Sequence, residues 1–303
     1  MFTAQAHAGR ADLEPLIAFA SASTAARFPL RAILHPGNVI WELMNDFDAP
    51  QDMRLWRDGD DIGALAMFVG PGQLWFECLP AAEDLIGEML RWAEQSSRNA
   101  GRPSLSIHVL DQDLARQRLV AARGYAREGP EAVQFRLYLA CDVPPLDLPT
   151  GMRVRDCVEI DLQARALCHR DAWSHLAHIG LPDARSKFTA DSYRKLLAAP
   201  LYDPTLDLVV ETEEGDLVAN CIGWADQESG IGEFEPVGCH VDYRGRGIAG
   251  AMMREGARRM KARGLKWARV GTAHFNAAAI SAYQNGGFEL VDRAIWWRKD
   301  LRV

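Results

Sequence analysis

No apolar run in this sequence approaches membrane-spanning length. The longest, Ala64 to Val69, falls far short of the ~20 residues that cross a bilayer. Residues 1–10 show no basic stretch followed by an apolar core, so no secretory leader is expected and the expected compartment is the cytoplasm. Basic excess is also missing. The chain has 34 Lys and Arg against 41 Asp and Glu, a net charge of −7, which argues against general nucleic-acid binding, where phosphates call for a basic surface. Cysteine is sparse: Cys78, Cys141, Cys157, Cys168, Cys221 and Cys239, with no Cys-x-x-Cys pair. A disulfide framework is therefore not expected, and the six read as small, mostly buried hydrophobes in a reducing compartment. There is no Gly-x-Ser-x-Gly elbow, so a serine hydrolase of that type is not expected.

What remains is an ordinary globular composition, 48% hydrophobic and 25% charged, over a length that suggests about two domains. The clearest boundary is the stretch from Cys141 to Gly151, which holds three prolines and few periodic apolar positions. It predicts domains over 1–143 and 144–303. The halves resemble one another. The acidic turn around Gly59 matches the one around Gly215, and Gly124-Tyr125 matches Gly287-Phe288, in the same order and at offsets of 156 and 163 residues. Duplication is the expected origin.

The second half predicts strands over 152–157, 206–211, 217–224, 232–241, 267–272 and 294–299, and helices over 161–178, 190–198, 247–263 and 277–285. The order is βααβββαβαβ, a mixed α/β sheet covered by helices. The first half reads similarly: a hairpin around Gly59, strands over 74–78, 105–110 and 133–139, and helices over 84–97 and 113–122.

The most informative segment is Cys239-His240-Val241-Asp242-Tyr243-Arg244-Gly245-Arg246-Gly247-Ile248-Ala249-Gly250, between a strand and a long helix. Its glycines let backbone N–H groups approach an anion, and the helix start adds partial positive charge, which makes a pyrophosphate cradle unless the glycines serve only a tight turn. Gly245 to Gly250 also satisfies Gly-x-Gly-x-x-Gly, but the next strand lacks the acid a dinucleotide site needs, and only 53 residues follow Gly250. No Lys-Ser/Thr follows, which excludes a Walker loop.

Arg244-Gly245-Arg246-Gly247-Ile248-Ala249 resembles the Arg/Gln-x-x-Gly-x-Gly/Ala signature of the GNAT superfamily of N-acetyltransferases. Downstream, Asn276-Ala277-Ala278-Ala279 through Tyr283 to Gly287-Phe288 is similar to that family's Asn-x-x-Ala-x-x-x-Tyr-x-x-x-Gly-Phe segment. The resemblance covers about residues 150–303 and extends to the first half as a degraded copy. There the loop reads Cys78-Leu79-Pro80-Ala81-Ala82-Glu83-Asp84, without arginine or glycine and with two acids that would repel a pyrophosphate. The layout resembles tandem proteins of the mycothiol synthase type, whose C-terminal unit is the active one. The resemblance implies a fold of two tandem GNAT-like domains and acetyl-CoA as co-substrate. It also implies a small-molecule amine acceptor that attacks directly in a ternary complex, with no covalent enzyme intermediate. The alternative is a CoA-binding regulatory or scaffold protein without turnover. The acyl length of the donor and the choice between monomer and homodimer stay open.

By the same resemblance, Cys239 and Val241 would pair with the pantetheine arm, and His240 and residues 244–249 would line the cofactor, with Asn276 touching it or only capping its helix. Tyr283 would be the general acid, or a core tyrosine. Replacing Arg244 and Arg246 by glutamate should weaken acetyl-CoA binding sharply. Glu233, Glu235, Val237 and Cys239 share parity on one strand. Glu235, or Glu233, could take the amine proton; both could instead bind a cationic substrate or simply face solvent. Pro236 predicts an interruption that frees backbone groups. Arg254, Arg258, Arg259, Lys261, Arg263, Lys266 and Arg269 could attract phosphates or form a solvated face. By the same resemblance Trp173 and His175 would lie on the acceptor side, or serve only packing or surface, and Tyr202 is another candidate for the acceptor side. His169, His175 and His178 lack a further ligand cluster, so no metal is expected.

Overall fold

The computed structural model describes residues 1–27, 34–44, 47–48, 52–143, 147–174, 176 and 186–302. In chain order the first half forms β1 (Thr3–Ala6), α1 (Leu13–Arg27), α2 (Pro36–Leu43), β2 (Met53–Asp58), β3 (Asp61–Gly70), β4 (Gln73–Cys78), α3 (Ile86–Asn99), β5 (Ser104–Leu110), α4 (Leu114–Ala122) and β6 (Ala126–Tyr138). The second half forms β7 (Met152–Asp156), α5 (Leu162–Ala172), α6 (Ala190–Leu197), β8 (Asp207–Thr212), β9 (Leu217–Asp226), β10 (Ile231–Cys239), α7 (Ile248–Ala262), β11 (Trp267–Ala273), α8 (Ala277–Asn285) and β12 (Glu289–Asp300).

Contacts group the chain into two compact units that do not follow a single cut at 143/144. One comprises Met1–Val39, Asp46–Val133 and Asp292–Val303; the other comprises Ile40–Asn45 and Gln134–Val291. The reason at the C-terminus is strand pairing, since Ala294 to Asp300 of β12 runs antiparallel to β5, with Ala294 opposite Leu110 and Asp300 opposite Ser104.

In the first unit β1 to β4 form an antiparallel run. β4 then pairs in parallel with β5 only at Gln73–Leu74. Helix α3 turns Met89, Leu90 and Ala93 into a core with Trp56, Phe76 and Ile107, the i, i+1, i+4 pattern of one buried helical face. In the second unit β7 to β10 are antiparallel, and β10 pairs in parallel with β11 over Ile231–Phe234 opposite Trp267–Val270. Helix α7 buries Met252, Met253, Ala257 and Met260.

The expected duplication is visible in the register. Cys78 closes β4 opposite Ala64, as Cys239 closes β10 opposite Ala219. In each case the next N–H bonds back to the residue before that alanine: Leu79 to Gly63 at 2.8 Å, and His240 to Val218 at 2.9 Å. Helices α4 and α8 are nine residues each.

Several elements differ from expectation. β1, α1 and α2 were not legible as elements. β6 starts at Ala126 and β12 at Glu289, each earlier than expected. The helix expected over 161–178 closes at Ala172; His175 and His178 lie outside the described residues. β10 ends at Cys239 rather than Val241, and Val241–Tyr243 form a short 3-10 turn.

Candidate functional site

The second unit has an opening where β10 and β11 part. Their recorded pairing stops at Phe234 and Val270, while β10 continues to Cys239 along β9. Between Phe234 and Val237 the β9–β10 register slips by one residue. That bulge resets the side-chain alternation, so Glu233 does not share a face with Val237 and Cys239, and the single parity expected for 233–239 does not hold. Glu235 and Pro236 sit at the slip, joined by a cis peptide. The Trp224 indole N–H donates to the Glu235 carbonyl at 2.6 Å and fixes the slip in place.

The turn after β10 reaches α7 through Gly245 and Gly247, with φ of +76° and +77°. These left-handed values favour glycine. A Cβ at either would meet nothing within 4 Å, so open space lies over the turn. Gly247 caps α7 without any side-chain hydrogen bond, which leaves the first-turn N–H groups of that helix facing outward with its positive end. The local geometry therefore fits a diphosphate at Gly245–Ala249, with Ile248 and Ala249 in the first turn. Gly250 serves packing instead: its Cβ would lie 3.1 Å from the Ala282 carbonyl of α8.

The side chains around this turn divide by direction. Arg246 is exposed, donates to the Asp242 carbonyl at 2.9 Å and lies over the Tyr243 ring. Arg244 points into the protein. Its Nε donates to the Cys239 carbonyl at 3.1 Å, and a terminal nitrogen donates to the Ala172 carbonyl at 3.0 Å. Its own N–H bonds Val241 O at 3.4 Å. His240 Nδ1 accepts from the Asp242 N–H and starts the 3-10 turn that holds Val241. Cys239 is half-buried, and burial raises its thiol to about 11.

Glu233 and Glu235 have different surroundings. Glu233 is buried and ion-paired with Arg269 at 3.1 Å, so neither solvent nor a free carboxylate describes it. Glu235 is half-buried at the bulge. Its carboxyl is raised to about 8, mainly by burial, then by the charges of Glu233 and Glu42, with Arg269 opposing. Glu42 lies on α2, in the Ile40–Asn45 segment that groups with the second unit, and is exposed. No motif announced Glu42. It stands almost 200 residues from Glu235, on a helix that the sequence pattern did not reveal.

Tyr283 is buried on α8, and its hydroxyl donates to the Gly271 carbonyl of β11 at 3.3 Å. Burial holds the phenol well above its usual range, and the Glu235 charge adds to this, so the group keeps its proton at neutral pH. Asn276 caps α8: its Oδ1 accepts from the Ala279 N–H at 3.2 Å, and its Nδ2 donates to Thr272.

Trp173 follows α5 and lies across β10 at Gly238, where a Cβ would be 2.1 Å from the indole. It stacks on His169, with centroids 4.3 Å apart. Burial lowers His169 to about 3, so it is neutral. Trp41 and Phe188 complete this aromatic group at 5.6 and 4.6 Å from His169. His175 lies outside the described residues. Tyr202 is tied down elsewhere: its hydroxyl and that of Tyr193 donate to the buried Asp207 at 3.0 and 2.7 Å, and Asp207 also accepts from Arg165. The two tyrosines and Asp207 thus form an internal hydrogen-bonded cluster.

The basic helix is mostly engaged internally. Arg259 reaches Glu255, Asp156 and the Thr205 carbonyl. Arg263 holds Asp203, Arg258 pairs with Glu255, and Arg254 bonds the Asn285 carbonyl at the end of α8. Among the described residues no His/Cys/Asp/Glu group suits a metal ion, and no helix is long and apolar enough to cross a membrane.

Comparison with known proteins bears on this geometry. The model of the acetyltransferase (GNAT) family matches residues 173–288, a span from Trp173 through the glycine turn to Phe288. An acetyltransferase of Sodalis glossinidius (strain morsitans) is 34% identical over 100 residues, covering 33% of this chain and 68% of that protein. A mycothiol acetyltransferase of Propionibacterium freudenreichii subsp. shermanii is 26% identical over 170 residues, so the chain spans about half the length of that relative (52%) and 54% of itself. A tandem GNAT protein from the clavulanic acid biosynthesis pathway shares the fold, with TM-score 0.64 at 16% identity, over 100% of this chain and 99% of that one. With two GNAT-like halves, the glycine turn and this level of identity, the chain belongs to the acetyltransferase (GNAT) family.

Proposed function

We propose that the second half is an acetyl-CoA-dependent N-acetyltransferase that transfers acetyl to a primary amine of a small molecule in a ternary complex. The reading rests above all on one observation: the opening between β10 and β11 lies beside the uncapped, glycine-lined start of α7. Bound there, acetyl-CoA would supply an activated thioester. The N–H groups of Gly245 to Ala249 and exposed Arg246 would hold the diphosphate. The edge of Val237–Cys239, past the last recorded pair with β11, would hold the pantetheine arm by strand-like bonding, and an N–H there would donate to the carbonyl oxygen. Glu235 would take the ammonium proton, since a carboxyl near 8 is a competent base close to neutral pH. Tyr283, kept protonated, would return a proton to the departing thiolate.

The acceptor reading is supported by charge. Glu233 is ion-paired with Arg269, which also opposes the rise of the Glu235 carboxyl, while Glu42 adds a further negative charge. An ammonium group would balance this acid excess as Glu235 ionises. We also propose that the first half holds no CoA in this manner. Arg27 donates to the Cys78 carbonyl at 2.6 Å and pairs with Glu83 at 3.0 Å, and a 3-10 turn over Pro80–Leu85 stands where the glycine turn would be.

The test is calorimetric titration with acetyl-CoA, followed by a screen of primary amines, aminoglycosides included, for release of free CoA thiol. Saturable binding weakened by Arg246→Glu, with turnover on an amine, is expected. An absence of binding overturns the reading; tight binding without turnover on any amine favours a non-catalytic CoA-binding protein.

A further inference from the structure

Arg244 stands first in the glycine turn, yet two of its side-chain bonds run to carbonyls inside the protein. One is Cys239 O, at the end of β10. The other is Ala172 O, among the last carbonyls of α5, which have no partner within the helix. A cation there also meets the negative end of that helix. The planar guanidinium directs its donors along fixed lines and reaches two acceptors at once, which a lysine ammonium on a flexible stem does not reproduce. The residue after Ala172 is Trp173, whose indole lies on Gly238, the neighbour of Cys239. Trp173 N–H bonds His169 O at 3.2 Å, and its ring stacks on His169. The turn, the end of β10 and the end of α5 therefore meet at one guanidinium. If Arg244 turned outward to a phosphate, both carbonyls would lose their donor.

We propose that Arg244 is a positioning residue, not a phosphate ligand, and that it couples the glycine turn to the aromatic wall headed by Trp173. The proposal goes beyond the donor reading above but rests on it for the identity of what the turn holds. Binding at the turn would be felt at the end of α5 through this brace, so occupancy of the donor site would firm that aromatic wall.

The experiment uses the full chain, with coenzyme A as the probe. Its dissociation constant is measured by calorimetry, and amide hydrogen exchange is followed at 170–174 with and without coenzyme A, for wild type, Arg244→Gln and Arg244→Lys. Arg244→Gln is expected to keep the dissociation constant within about threefold, to speed exchange at 170–174 roughly tenfold, and to abolish the slowing that coenzyme A causes there in wild type. Arg244→Lys keeps the charge and is expected to show the same loss. Gly238→Ala attacks the same contact from the strand side without altering charge; it should speed exchange in the same segment and add little on top of Arg244→Gln. A larger loss of coenzyme A affinity in Arg244→Gln that Arg244→Lys restores would make the side chain a phosphate ligand and overturn the proposal. Unchanged exchange at 170–174 would also overturn it. If wild type binds no coenzyme A, the donor reading falls, and the ligand-free exchange of the three variants still decides whether the brace exists.

Discussion

The pH dependence of turnover follows from Glu235. Its carboxyl rises from 4.5 to about 8 in the folded protein, so ionising it there costs on the order of 5 kcal/mol more than in the unfolded chain. The sign follows directly. The folded form holds its proton more tightly, so Glu235 costs no stability below its unfolded value, and the cost builds as pH rises from about 4.5 to about 8. A base must be ionised to act. At pH 7 only about one-tenth of the molecules carry the carboxylate, and at pH 6 about one-hundredth. The expected kcat/KM for the acceptor climbs close to tenfold per pH unit up to about 8 and then levels. The assay is thiol release from acetyl-CoA between pH 5.5 and 9.5, with wild type, Glu235→Gln and Glu42→Gln. The titrating acceptor amine would produce a similar limb, and Glu42→Gln separates the two. Removing the Glu42 charge lowers the Glu235 carboxyl and moves the limb to lower pH, whereas an amine limb stays put. Glu235→Gln should cost roughly 10²–10⁴ in kcat. A limb that Glu42→Gln does not move, or a Glu235→Gln enzyme at wild-type rate, would refute the assignment.

Three further outcomes are expected. Tyr283→Phe removes the hydroxyl bonded to Gly271 and should lower kcat by roughly 10²-fold while calorimetry finds acetyl-CoA affinity intact; unchanged kcat would remove Tyr283 from the chemistry. Gly247→Ala forces a side chain into φ +77° and should cost about 1–2 kcal/mol in denaturant unfolding, with weaker acetyl-CoA binding; wild-type stability and affinity would contradict the role given to the turn. Asp207→Asn leaves buried Arg165 without its counter-charge and should cost about 3–5 kcal/mol in urea unfolding, and a loss below about 1 kcal/mol would show that the cluster does not stabilise the fold.

The parts of the fold that were legible are those in which one local rule decides the outcome. Gly245 and Gly247 announce a left-handed turn because few other residues adopt it, and α8 begins at the Asn276 cap and ends where Gly286-Gly287 halts it. What stayed hidden depends on partners far along the chain. The face of Glu235 could not be counted from Glu233, because a bulge intervenes. The arginines of α7 and of its C-cap looked like a basic face, but Asp156, Asp203 and the end of α8 meet several of them. Arg244 reads as part of a phosphate motif, and nothing in the motif tells of Ala172. Trp41 packs near His169, and the Glu42 charge acts on Glu235, from a helix that carries no chemical signature. Helix α1 escaped notice because Ser21, Ser23, Thr24 and Arg27 are buried beside its apolar residues, which blurs the pattern.

Pairing between β12 and β5 has a consequence for biosynthesis. The first unit includes Asp292–Val303, so while the ribosome is still making the second half, β5 lacks a neighbour on one side. Hydrogen-bonding groups of that strand remain available to wrong partners until the final stretch emerges. Expression of residues 1–143 alone would fix the protein in that unfinished state, and adding a peptide of residues 289–302 in trans should rescue its solubility.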